Sequence, residues 1–92
     1  MRKIDLQTSR RTEFIDITDL VERALAEAGL IEGVCTVFTP HTTAAVTINE
    51  NADPSVTHDI LEVVDSLIPF DSPRYRHSEG NSAAHIKSSL FG

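Results

Sequence analysis

HTTAAVTINENADPSVTHD, residues 41–59, joins a strand-like run to a helix start, and the fold is read outward from that junction. Ala45 to Glu50 alternates as a strand does, with Val46 and Ile48 on one side and Thr47 and Asn49 on the other. Asp53-Pro54 then opens a helix. A carboxylate at the N-cap and proline in the first turn are the usual asymmetry of a helix start. Val56, Ile60, Val63, Val64 and Leu67 recur at helical spacing and predict the inner face. Pro69 ends the run, because proline cannot continue a helix.

Upstream, Gly33 opens GVCTVFTP, a β-branched run with little polar alternation. Such a run predicts a strand covered on both faces. Cys35 lies inside it and reads as a small buried hydrophobe. As the single cysteine it makes no internal disulfide. Before that run, Asp19 and Glu22 have the spacing of a capping box, with Thr18 as the rival cap. Val21, Ala24, Leu25 and Ala28 follow at helical spacing, and Gly29 supplies a left-handed stop. Lys3–Thr8 and Thr12–Ile17 read as two strands of a hairpin turning at Ser9, Arg10 and Arg11.

Downstream, PFDSPRYRHSEGN (69–81) is a loop too long to be an idle connection. Ser82–Leu90 predicts a short helix capped by Asn81 or Ser82. The order ββαββα implies an α+β fold: a mixed or antiparallel sheet packed with two to three helices, in a single domain over residues 1–92.

Composition narrows the function classes. The chain is 40% hydrophobic and 24% charged, an ordinary globular balance. No window approaches the ~18 apolar residues of a membrane span. The N-terminus lacks the apolar middle of a signal peptide, so a cytoplasmic location is expected. Eight basic residues against fourteen acidic ones give a net charge of −6, which argues against a nucleic-acid partner.

The groups able to do chemistry sit in two clusters. Histidines at 41, 58, 77 and 85 have the donor type of transition-metal ligands. On a continuous helix, His77 and His85 would be about 12 Å apart along the axis. They share a ligand only if the loop around Gly80 folds back, or if they come from different subunits. His58 precedes Glu62 by four residues and reads as half of an exposed helical pair. Asn49 and Glu50 end a strand, where rigid scaffold often carries functional groups, although a turn explains them equally. Asp53 is first a helix cap. Asp59 borders the apolar stripe and could orient a histidine. Arg74, Arg76 and Lys87 surround the late histidines. With Ser78, Asn81, Ser82, Ser88 and Ser89 they could make an anion pocket, to which a helix N-terminus at Asn81 adds amide donors.

HTTAAVTINENADPSVTHD followed by RHSEGNSAAHIKSSLFG closely resembles the YjbQ-like family of secondary thiamine-phosphate synthases. The resemblance implies a small α+β protein that assembles as a homotrimer. It implies a divalent metal, Zn or Mg, at His41, His77 and His85. Asn49, Glu50, Asp53 and Asp59 fall on the family's polar positions. The implied activity joins hydroxymethylpyrimidine diphosphate to thiazole phosphate with release of pyrophosphate. In that scheme Glu50, Asn49 and His41 are the catalytic candidates, and Arg76, Asn81 and Lys87 hold the phosphorylated substrate. A metal-dependent hydrolase of a phosphorylated metabolite, and a trimeric metal- or metabolite-binding module without catalysis, are the alternatives. Family members continue past the HIKSSLFG region into further strands, so the resemblance also implies a domain lacking its C-terminal strands.

Overall fold

Thr18–Glu27 forms helix α1 in the computed structural model, which describes residues 1–92. Leu20, Val21, Ala24 and Leu25 are its half-buried side, as the 3.6-residue period requires. Its start differs from the expected capping box. The N-cap is Ile17, with no side-chain cap bond. The Thr18 amide instead donates to Asp16 Oδ1 at 2.9 Å, so an aspartate outside the helix satisfies the first free donor. The stop is as expected. Gly29 adopts φ +71°, its amide donates to the Ala26 carbonyl at 3.1 Å, and Leu30 donates to Leu25 at 3.2 Å. These two bonds are the Schellman pair, and they need the left-handed backbone that glycine tolerates.

Pro54–Leu67 forms helix α2 and Ser82–Phe91 forms helix α3. The first turn of α2 is the junction read from the sequence. Asp53 Oδ1 accepts from the Ser55 amide at 2.9 Å and from Ser55 Oγ at 2.7 Å. Helix α1 lies in one compact unit, Met1–Cys35, and α2 and α3 lie in the other, Thr36–Gly92. No helix is long and apolar enough to cross a membrane.

The sheet of the expected α+β fold is not formed: the chain has three helices and no β strand. Backbone hydrogen bonds outside the helices join residues three to five apart, closing turns and caps. A strand exists only as one side of a ladder, and β propensity supplies extended backbone rather than a partner. At the expected hairpin, a side chain takes over. Glu13 accepts from the Ser9 amide at 2.8 Å and from Ser9 Oγ at 3.0 Å, so the turn closes without strand pairing.

Burial follows from the missing sheet. Ala83, 4% exposed, is the one buried hydrophobic residue. The GVCTVFTP run was expected to be covered on both faces, yet Val34 is 91% and Phe38 64% exposed. Cys35 is also exposed, because no neighbouring strand lies against it. On α2, Val56, Ile60 and Val64 are half-buried, whereas Val63 and Leu67 of the same expected face are exposed.

The α2 cap has a pH consequence. Hydrogen bonds from the Ser55 amide, then its hydroxyl, hold the Asp53 carboxyl below its ordinary range. A depressed folded value means that this contribution is full above the unfolded range, about 4. It is lost as the pH falls through the lower folded value. Asp53→Asn keeps an acceptor that does not titrate, so its far-ultraviolet dichroism is expected to lose less helix signal in acid. Superimposable acid transitions for the two chains would remove the cap from the account.

Candidate functional site

The second cluster becomes a pocket because the 69–81 loop is held in a defined path. Pro69 follows α2, and its carbonyl accepts a hydrogen bond from Tyr75 Oη at 2.6 Å. Within that ring, the Tyr75 amide donates to the Ser72 carbonyl at 3.1 Å and the Arg74 amide to Ser72 Oγ at 3.2 Å. Side-chain hydroxyls that bond the backbone in this way fix turns. Gly80, at φ +75°, then reverses the chain into α3, with its amide donating to the His77 carbonyl at 3.4 Å.

That reversal brings His77 back against α3. The rings of His77 and His85 lie 5.5 Å apart between centroids, at 63° to one another. The fold-back is the condition under which the sequence allowed these two to meet. Around them opens a pocket of ≈ 480 Å³ lined by Arg74, Tyr75, Arg76, His77, Ser82, His85 and Ile86. No carboxylate lines it. Two guanidiniums on a rigid turn suit a planar or tetrahedral oxyanion, because each presents a fork of donors.

The structure separates the remaining candidates from this pocket. Lys87 forms an ion pair with Asp65 of α2 and keeps only 13% of its side chain exposed. Two residues from His85 on a helix, it lies on a different side. Asn81 occupies the N-cap position of α3 without a side-chain cap bond, and its buried Oδ1 has no hydrogen-bond partner. The amides of the first turn of α3 therefore receive no side-chain acceptor from Asn81. His41 begins a turn closed by the Ala44 amide on its carbonyl at 3.3 Å, and Ser88 Oγ of α3 reaches the Thr42 carbonyl at 2.5 Å. The turn is thus tied to α3, but His41 is exposed and does not line the pocket.

Asn49 and Glu50 are exposed and engage each other, the Glu50 amide donating to Asn49 Oδ1 at 2.7 Å. Asp53 is occupied as the α2 cap. His58 pairs with Asp59 at 3.1 Å rather than with Glu62, and both side chains are more than 70% exposed. The residue that sequence reasoning passed over is Tyr75. Its signal was an aromatic between two arginines, just after Pro69 and Pro73.

Of the three histidines expected to hold a metal, His41 does not join the other two at the pocket. His77 and His85 approach each other, yet no three His, Cys, Asp or Glu side chains gather to hold an ion.

Comparison with known proteins adds kinship without chemistry. A family profile described as "UPF0047 protein YjbQ-like" matches residues 2–92. A UPF0047 protein of Methanocaldococcus jannaschii is 49% identical over 98% of this chain, which spans 64% of that protein. YugU of Bacillus subtilis, also a UPF0047 protein, is 47% identical over the whole chain, which spans 70% of it. A crystal structure of a YjbQ/UPF0047 family protein from Clostridium acetobutylicum is 56% identical and superposes with a TM-score of 0.90. The match covers 95% of this chain and 67% of that one. These findings correct the expected activity. The profile and the relatives carry a family name and no reaction, so neither thiamine-phosphate synthesis nor metal-assisted catalysis, hydrolysis included, has support in them.

Proposed function

The chain belongs to the YjbQ-like UPF0047 family, a membership that assigns no reaction, and from its own pocket we propose that it binds a phosphate-bearing small molecule. One observation carries this reading. Arg74, Arg76, His77 and His85 converge on an open pocket that no carboxylate lines, in a chain of net charge −6. Positive groups gathered against an acidic background concentrate anions locally. Ser82 adds a hydroxyl at the start of α3, whose first amides add donors of the kind anions favour. Tyr75 and Ile86 offer apolar surface to the rest of the ligand. Arg76 keeps the binding role expected of it, while the ion pair of Lys87 with Asp65 draws that side chain elsewhere.

Calorimetric titration with inorganic phosphate tests the reading. Saturable binding that weakens with added salt and is lost in Arg76→Ala supports it. Equal heats from chloride and phosphate at matched ionic strength would refute it.

A divalent metal is a second reading of the same pocket, favoured by the 5.5 Å approach of His77 and His85. Two imidazoles suit Zn rather than Mg, which prefers oxygen ligands. The remaining ligands would come from elsewhere, His41 or a second copy among them. Zinc retained at full stoichiometry after His77→Ala and His85→Ala together would exclude these ligands.

Self-association as a homotrimer belongs to the same proposal. Ile31 and Ile48 are essentially fully exposed, and such side chains gain by burial between copies. Light scattering at three times the 10.1 kDa chain mass is the expected result, and a monomer at all concentrations would overturn it. A cytoplasmic setting fits a phosphorylated metabolite as ligand.

A further inference from the structure

We infer that Tyr75 is a positioning residue for the anion pocket: its hydroxyl clasps the Pro69 carbonyl and so presets Arg74 and Arg76 for an oxyanion. The inference rests on the reading of that pocket as an anion site. The two arginines flank Tyr75 in sequence, and all three line the pocket. The clasp is a 2.6 Å hydrogen bond across six residues, and it encloses the two bonds from Arg74 and Tyr75 to Ser72, which span only two and three residues. Pro69 and Pro73 restrict the same ring further, since proline fixes φ.

Long exposed arginines ordinarily lose rotamer and backbone freedom when they grip a ligand, which reduces affinity. A loop already closed on itself has lost the backbone share of that freedom before the ligand arrives. Tyr75 therefore raises affinity without contributing charge. The hydroxyl clasp is particular to Tyr75. Phe70 has no hydroxyl, and Ser72 closes only the inner turn.

The test compares Tyr75→Phe with Arg76→Gln in the whole chain, using inorganic phosphate as the probe. Tyr75→Phe keeps the ring and all four basic side chains. Loss of one hydrogen bond's worth of pre-organisation corresponds to a Kd raised about three- to tenfold. The dependence of Kd on salt is expected to match the unsubstituted chain, because the charge in the pocket is unchanged. Arg76→Gln weakens binding and also flattens the salt dependence. A purely structural role for Tyr75 would lower the thermal midpoint and leave Kd unmoved once the folded fraction is counted. That outcome overturns the positioning role and leaves the anion pocket standing. No phosphate binding by the unsubstituted chain overturns both.

Discussion

Replacing Arg74 and Arg76 together by glutamine is expected to weaken phosphate binding about a hundredfold. A hydrogen bond to a charged group contributes roughly 1.5–3 kcal/mol in sheltered surroundings. Both arginines are exposed, so water and salt reduce each contribution, and the lower end of the range applies. Two contributions of about 1.4 kcal/mol multiply to about a hundredfold in Kd. The control is Arg10→Gln with Arg23→Gln, which alters net charge equally but lies in the Met1–Cys35 unit. That pair is expected to change Kd less than about twofold, because neither side chain lines the pocket and exposed charges are screened by salt. Equal losses in the two double variants would mean that overall charge, and not this loop, attracts the anion.

The second large effect concerns stability. Ala83 is 4% exposed, in the first turn of α3, and is the only residue of its kind in the chain. Ala83→Leu adds three carbons where there is no free surface to receive them. Overpacking of that kind costs about 1–3 kcal/mol. Helix propensity does not confuse the comparison, since leucine is nearly as good a helix former as alanine. In a domain of this size, that cost lowers Tm by roughly 5–15 °C. Ala84→Leu is the matched control, because Ala84 is next in the helix and only half-buried. Equal midpoints for the two variants would show that Ala83 is not the tight point of the packing. Because α3 carries His85 and Ser82, phosphate affinity is expected to fall with Ala83→Leu as well.

The helices were legible because their signals are local. Asp53-Pro54 and the Gly29 stop act within a few residues, and each sits where the sequence placed it. The start of α1 was not, because Asp16 lies outside the expected box and bonds to Thr18 by a turn of its own. The sheet was misread for a different reason. Val46, Ile48 and the GVCTVFTP run have strand composition, but composition says nothing of a partner, and only a partner makes a strand. Residues such as Val34 and Ile48 remain in solvent as a result. In the site, Arg74, Arg76, His77, Ser82 and His85, which share one biased stretch of sequence, line one pocket. Lys87 was expected with them, yet it pairs with Asp65, twenty-two residues earlier. Tyr75 stands in the sequence as an aromatic between two arginines, but its hydrogen bond depends on a carbonyl six residues away, which composition does not locate.

One hydroxyl in α3 leads further. Ser88 Oγ lies 2.5 Å from the Thr42 carbonyl and 3.0 Å from the His85 carbonyl, and both oxygens can only accept. A hydroxyl has one proton, so it serves one of the two at any instant. The shorter contact favours Thr42. Rotation about the C–O bond toward His85, on the time scale of side-chain motion, would withdraw that proton from the Thr42 carbonyl. The tether between the 41–44 turn and α3 thus rests on the placement of a single serine proton.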